Sequence, residues 1–197
     1  MLTKEQLIGP LAGLRTDEVV VTTMGIVRPW GRVSSSPLDF ASADSAMGHA
    51  ADLALGIALA QPQRRVICLN GDGSMLMSLG TLATIIQSGA KNLILFVVEN
   101  STYEIIGNQP IPGAGIVDFA AMARAAGFPH AFTFDDAKQY ESLLPNILRL
   151  DGPVLVAVKI RPGNEGPLSR RQEEAAGYLK VSLAQSARQL RDALARK

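Results

Sequence analysis

Apolar positions along the chain recur in two patterns. One is the short, continuous apolar run: Val19-Val20-Val21, Val66-Ile67-Cys68-Leu69, Leu93-Ile94-Leu95-Phe96-Val97-Val98 and Val154 to Ile160. Runs of this length, apolar on successive residues, predict strands covered on both faces, as in a parallel sheet between helices. The other is a helical stripe. Leu7, Ile8, Leu11 and Leu14 share one side of residues 3–14, where Thr3 can cap, Glu5 and Gln6 follow, and Pro10 would kink or shorten the helix. Met75, Leu79, Leu82 and Ile86 form a stripe from Ser74 to Ser88, with Gly89 as its stop. Further helices are predicted over Ala46 to Ala60, which is rich in small residues, over Val117 to Ala126 with Gly127 after it, and after a cap at Asp135 or Asp136. Short strands are expected at Leu38 to Ala41 and Ala131 to Phe134.

Strand and helix alternate, so the expected fold class is α/β: a doubly wound parallel sheet with helices on both faces. The whole chain, 1–197, reads as one domain, with a core over about 15–160, a linker over 161–168 and a C-terminal helix over 169–197 capped by Ser169. Residues 28–37, with two prolines, Gly31 and three serines, read as a loop. Its Arg28, Trp30 and Arg32 are either a solvated segment with one aromatic anchor or a greeting surface for an anionic substrate or a partner. Residues 103–117, rich in glycine and proline, read as a flexible loop and a candidate lid.

Composition narrows the function. Lys plus Arg number 19 against 18 for Asp plus Glu, which gives no footprint for nucleic acid or an anionic membrane surface. The single cysteine, Cys68, sits in an apolar run as a core residue and cannot build a disulfide or a cysteine-ligated cluster within the chain. No run approaches membrane-spanning length, the N-terminus lacks the apolar stretch of a secretory signal, and a cytoplasmic location is the default.

The chemistry gathers where two of the apolar runs end. Val66 to Leu69 leads into Gly71-Asp72-Gly73-Ser74, and Leu93 to Val98 leads into Glu99-Asn100-Ser101-Thr102. A right-handed crossover sets both turns at one sheet edge, where open parallel sheets bind ligands. The glycines let backbone approach a ligand, and the helix start offers N–H groups to an anion. Asp72 would repel a bare diphosphate. A magnesium ion removes that conflict by accepting carboxylate and phosphate oxygens together, with Asn100 and the Thr102 carbonyl as further oxygen donors. A dinucleotide fingerprint does not fit: Leu76 stands where the third glycine belongs, and an aspartate occupies the turn.

Gly71-Asp72-Gly73-Ser74 followed by Asn100 resembles the diphosphate motif of the thiamine diphosphate (ThDP) enzymes. The resemblance extends from Asp44-Ser45-Ala46-Met47-Gly48-His49-Ala50 to Gly107-Asn108-Gln109-Pro110, and is drawn in particular to the cofactor-binding half of the sulfopyruvate and phosphonopyruvate decarboxylases. It implies Asp72, Asn100 and Thr102 as magnesium ligands, with Glu99 replacing the first asparagine of the family's usual pair. It implies ThDP contacts at Gly71, Gly73 and Ser74 and an aminopyrimidine bond to the Ser45 carbonyl; Tyr103, with Asn108 and Gln109 in the loop that follows, would contact the cofactor or a neighbouring subunit. Met47 would prop the cofactor in its bent form; an ordinary core methionine is the alternative. His49 would reach the diphosphate or substrate, and is otherwise a surface or capping residue.

The family's activating glutamate belongs to a second domain, and Glu5 and Glu18 are wrongly placed to replace it. The resemblance therefore implies one subunit of a split 2-oxo acid decarboxylase. Its partner would carry the pyrimidine-binding domain, its substrate would be a small anionic 2-oxo acid, and it would self-associate as a dimer or tetramer when alone. The alternatives are a carboligase subunit of acetolactate synthase type and a non-catalytic cofactor-binding or regulatory subunit. A ferredoxin-linked oxidoreductase would carry cluster cysteines.

Overall fold

The computed structural model describes residues 1–41 and 47–195. In chain order the elements are α1 (Lys4–Leu14), β1 (Val19–Thr22), α2 (Val27–Val33), β2 (Asp39–Ala41), α3 (Ala50–Ala60), β3 (Val66–Gly71), α4 (Asp72–Leu76) and α5 (Thr81–Ser88). They continue as β4 (Leu93–Glu99), β5 (Thr102–Tyr103), β6 (Gln109–Pro110), α6 (Phe119–Ala126), β7 (His130–Phe134), α7 (Ala137–Ile147), β8 (Val154–Lys159) and α8 (Leu183–Leu194). Six strands pair in parallel in the order β2-β1-β3-β4-β8-β7. The α/β class holds. The order reverses between β1 and β3, so their C-terminal ends flank the crevice in which such sheets place ligands.

Alternation along each strand divides the core in two. Val20, Ile67, Leu69, Ile94, Phe96 and Val98 face α1, α2 and α7, while Val19, Val21, Cys68, Leu93, Leu95 and Val97 face α3, α5 and α6. Both sets are buried, which is why the strands read as unbroken apolar runs. At the N-terminus of α1, the Thr3 hydroxyl accepts from the Gln6 N–H, and the Gln6 side chain accepts from the Thr3 N–H.

Several elements depart from expectation. Residues 27–33 are helix, not loop. Pro29 falls in the first turn, where no intrahelical donor is needed, and Trp30 is fully buried beneath the Arg15 guanidinium. Gly31 is there for contact: a Cβ would lie 2.1 Å from the Cβ of Ala176. Arg28 and Arg32 do not form a receiving surface. Arg28 grips Glu174 with two bonds of 2.9 and 2.7 Å and also donates to the Gly166 and Pro167 carbonyls, and Arg32 pairs with Glu165 at 2.5 Å.

These bonds hold residues 161–176 as an irregular strap across α2. The C-terminal helix accordingly starts at Leu183, capped by Ser182, and not at Ser169. Helix α3 starts at Ala50, later than expected, because Gly48 adopts φ +91°, which no helix accommodates. The stripe from Ser74 to Ser88 is two helices: tight turns over residues 77–81 part α4 from α5 and bring the Thr81 hydroxyl 2.5 Å from Asp52. The segment after Asn100 is ordered as a small β5–β6 hairpin around a 3-10 turn at Glu104–Ile106.

Candidate functional site

The crevice at the reversal point is lined by Thr23, Met24 and Gly25 after β1, by Gly71 to Ser74 after β3, and by Asn100 and Thr102 to Ile105 after β4; Met47 closes one side. The space it encloses is small, about 40 Å³. Met24 (φ +50°), Ser101 (φ +62°) and Asn108 (φ +57°) are the non-glycine residues with left-handed backbone among the described residues, and all three lie at this edge. Such strain concentrates where surrounding structure forces it. At Ser101 its effect is visible: the N–H turns inward and donates to Asp72 Oδ2 at 2.7 Å.

Asp72 begins α4 and is 2 % exposed. Its other oxygen accepts from the Gly73 N–H at 2.8 Å. Burial pushes its carboxyl above the ordinary aspartate range, and the backbone N–H groups of Ser101 and Gly73 pull it partly back. The groups that lower it are backbone N–H, with no lysine or arginine among them. Asn100 lies across the crevice. Its Oδ1 accepts from the Thr102 N–H at 3.1 Å, and its Nδ2 donates to Glu104 at 3.0 Å. A donor on one side and a carboxylate on the other fix which way the amide points.

Gly73 permits a close approach: a Cβ there would stand 2.5 Å from the Tyr103 ring and 3.0 Å from Ile111. Ser74 ties the methionine segment to the turn, its hydroxyl accepting from the Gly48 N–H at 2.9 Å. Met47, Gly71, Asp72, Gly73, Ser74, Asn100, Thr102 and Tyr103 therefore come together around one crevice. His49 does not join them. Its side chain is 74 % exposed and lies 3.4 Å from Asp52, on the outer side of α3. Ser45 and Asp44 fall outside the described residues. Glu99 ends β4 beside Lys159 of β8; burial raises its carboxyl to about 7, Lys159 opposes the rise, and Asp72 and Asp118 add to it.

Sequence reasoning missed three side chains. Thr23 is 1 % exposed, lines the crevice, and its hydroxyl has no hydrogen-bond partner among the described residues. Glu104 is 5 % exposed and also lines the crevice. Lys4, in the first turn of α1, reaches Glu104 at 2.5 Å. A lysine at a helix N-terminus opposes the helix dipole, and that misfit is the signal the sequence offered for it.

The donors suit a divalent cation and a diphosphate. Among the described residues Asp72 is a desolvated carboxylate with no cationic partner and the Thr23 hydroxyl lacks a partner, while Asn100 adds a fixed amide oxygen and Gly73 keeps backbone open to close approach.

Comparison with known proteins agrees. The family described as thiamine pyrophosphate enzyme, C-terminal TPP binding domain, matches residues 33–158. Sulfopyruvate decarboxylase subunit beta of Methanothermobacter thermautotrophicus is 36% identical over 165 residues, which cover 83% of this chain and 85% of that subunit. Phosphonopyruvate decarboxylase of Streptomyces hygroscopicus is 37% identical over 125 residues, 64% of this chain but 31% of that enzyme. The fold superposes on the ThDP-dependent 4-hydroxybenzoylformate decarboxylase of Rhodococcus jostii with a TM-score of 0.67 at 19% identity, over 83% of this chain and 33% of that one. The chain is thus like the sulfopyruvate decarboxylase beta subunit in extent, and it belongs to the thiamine pyrophosphate enzymes as their C-terminal cofactor-binding domain.

Proposed function

We infer that this chain is the ThDP- and magnesium-binding subunit of a split decarboxylase acting on a 2-oxo acid with a second anionic group, of the sulfopyruvate or phosphonopyruvate kind. The observation that carries this reading is Asp72: a buried carboxylate with no cationic partner among the described residues, facing Asn100 at the sheet's reversal point. Bound ThDP supplies the electron sink that lets a 2-oxo acid lose carbon dioxide. The chain's own residues bind and orient. Asp72, Asn100 and the Thr102 carbonyl would hold magnesium, which would offset the charge of the diphosphate, and Gly71 to Ser74 would receive that diphosphate with the Thr23 hydroxyl as a further donor. Met47 supports the cofactor's bend, with its segment pinned through Gly48 to Ser74.

The chain's carboxylates explain why a partner is needed. Among the described residues lining the crevice the acids are Asp72 and Glu104. Asp72 is bonded to the Ser101 and Gly73 N–H groups, and Glu104 is ion-paired with Lys4. Neither is free to activate the pyrimidine ring, so that acid comes from a second subunit. The relatives named as beta subunits support this arrangement.

The test is reconstitution. The purified chain with saturating ThDP and magnesium is expected to be silent towards sulfopyruvate and phosphonopyruvate. Adding a subunit that bears the glutamate restores carbon dioxide release, and mutating that glutamate removes it. Robust decarboxylation by the chain alone overturns the reading.

A further inference from the structure

Glu104 stands at a junction that the cofactor site alone does not explain. Its Oε1 accepts from Lys4 Nζ at 2.5 Å and from the Glu165 N–H at 2.8 Å; its Oε2 accepts from Asn100 Nδ2 at 3.0 Å. The first partner comes from α1, the second from the strap after β8, the third from the turn after β4. The surrounding space is tight. A Cβ on Gly163 would stand 2.5 Å from the carboxylate and one on Gly25 would stand 3.0 Å from it. The side chains of Lys4 and Glu104 are 8% and 2% exposed.

From this geometry we propose that Glu104, neutralised by Lys4, is a positioning residue that holds the Asn100 amide with its oxygen turned to the cation. The inference rests on the proposed role of Asn100 as a magnesium ligand.

An asparagine amide can flip, and a flipped Asn100 would present N–H donors to a cation. Glu104 accepts hydrogen bonds and cannot donate them, so it captures the Nδ2 end and excludes the flip. The Thr102 N–H reinforces the same choice from the other side, and still leaves Oδ1 a second lone pair. Next, a bare carboxylate lining a diphosphate crevice would repel the ligand. Lys4 at 2.5 Å cancels that charge locally, which lets Glu104 orient Asn100 without opposing the anion. Finally, the hairpin carrying Glu104 is fastened to the strap a second time: the Thr102 hydroxyl donates to Asn108 Oδ1 at 2.9 Å, and Asn108 Nδ2 donates to the Gly163 carbonyl at 3.1 Å. Asn100 is thus set by groups from three parts of the chain.

A purely structural ion pair would have the same burial, so the test must separate the two roles. Full-length chain assembled with its glutamate-bearing partner is titrated with magnesium at fixed ThDP, and cofactor binding is read by calorimetry. Glu104→Gln, which offers one acceptor oxygen in place of two, is expected to raise the half-saturating magnesium concentration about 10- to 100-fold, the usual effect of removing a group that orients a metal ligand.

That variant strands Lys4 and is liable to unfold, so the double variant Lys4→Met/Glu104→Met decides the matter. Apolar replacement of both members of a buried pair is often neutral for stability. The double variant is expected to melt near the wild-type temperature and still to need about 10- to 100-fold more magnesium. A second readout needs no cofactor. The Asn100 side-chain amide resonance of the full chain, assigned by its loss in Asn100→Ala, is expected to resist solvent exchange in the wild type and to exchange freely in the double variant. An unchanged magnesium dependence or an unchanged Asn100 amide in the folded double variant overturns the proposal. Wild-type chain and partner that bind no ThDP at any magnesium concentration would instead defeat the proposed function, and the amide resonance would still judge the orienting role of Glu104.

Discussion

Two acids line one crevice, and the protein treats them in opposite ways. Asp72, in the turn after β3, is buried with backbone N–H groups as its partners, and burial leaves its carboxyl raised. Glu104, in the hairpin after β4, is as deeply buried but is matched by Lys4 at 2.5 Å. A buried carboxylate without a countercharge is costly, and its natural remedy is a bound cation. A buried carboxylate already paired has no charge to offer and can only orient its neighbours. On the proposed reading Asp72 takes its countercharge from outside the chain, while the charge of Glu104 is met within it.

The sharpest way to break this contrast is to remove each charge. Asp72→Asn is expected to lower magnesium-dependent ThDP affinity by more than about 100-fold, measured by calorimetry on the assembled enzyme, while the thermal midpoint of the chain does not fall. Asn100→Ala costs less, because the aspartate carries the charge. Glu104→Ala is expected to do the reverse on stability, lowering it by about 3–5 kcal/mol in denaturant unfolding, since Lys4 is left buried alone. If Asp72→Asn destabilised the chain as much as Glu104→Ala, the two acids would not differ in kind.

Met47 tests the crevice wall rather than its charge. Met47→Ala is expected to lower turnover of the assembled enzyme up to about 100-fold with little change in ThDP affinity, because a small misplacement of the reacting group costs that much. Met47→Leu, which keeps volume, is expected to lose less than about 1.5 kcal/mol of transition-state stabilisation. Steady-state kinetics beside cofactor titration separates the two, and equal losses of affinity and turnover would argue for plain packing.

What the sequence made legible follows the same divide. The turn carries its chemistry in the identity of adjacent residues, Gly71 to Ser74, and the apolar runs before and after it announced the strands that place it. The sheet and its coverage on both faces were legible for the same reason. The role of Glu104 was not, because it depends on Lys4, Asn100 and Glu165 meeting from distant parts of the chain. Helix α2 was hidden similarly. Pro29 and Gly31 are local signals of loop, yet one sits harmlessly in a first turn and the other makes room for Ala176. The strap was read as linker and helix because nothing local reveals that Arg28 and Arg32 reach Glu174 and Glu165. Gly48 delayed α3 through a backbone angle that its neighbours do not encode.

Turn and hairpin meet at one contact, so they can be pushed apart. Gly73→Ala places a methyl where Tyr103 now stands, 2.5 Å from its ring. Overpacking of this kind costs about 1–3 kcal/mol, and here it displaces the hairpin from the turn. The thermal midpoint is expected to fall accordingly and Tyr103 fluorescence to change. A variant as stable as wild type, with an unmoved Tyr103, would mean that the turn yields and the hairpin does not.

The smallest expected effect concerns the strap that supports the hairpin but not the turn. Arg28 holds the Glu174 carboxyl below its ordinary value of 4.5, chiefly through the hydrogen bonds between them. The folded chain therefore binds this proton more weakly than the unfolded chain. The resulting stability is fully present above the unfolded value and is lost as pH falls through the lower, folded one. Glu174→Gln removes that contribution at every pH. At pH 7 it is expected to cost about 1 kcal/mol, since Gln still offers the guanidinium an acceptor and Arg28 keeps the Gly166 and Pro167 carbonyls. Wild type and variant should converge as pH is taken below the ordinary glutamate value and through the lower, folded one. Limited proteolysis at pH 7 adds position to that comparison: cleavage within 161–176 should quicken in the variant, while the Gly71–Ser74 turn, which is hydrogen-bonded to Asn70, Gly48 and Ser101, stays protected. Parallel melting curves at all pH values would show that Arg28 gains nothing from the charge of Glu174, and the strap would then rest on Arg32–Glu165 and the packing of Ala176 against Gly31.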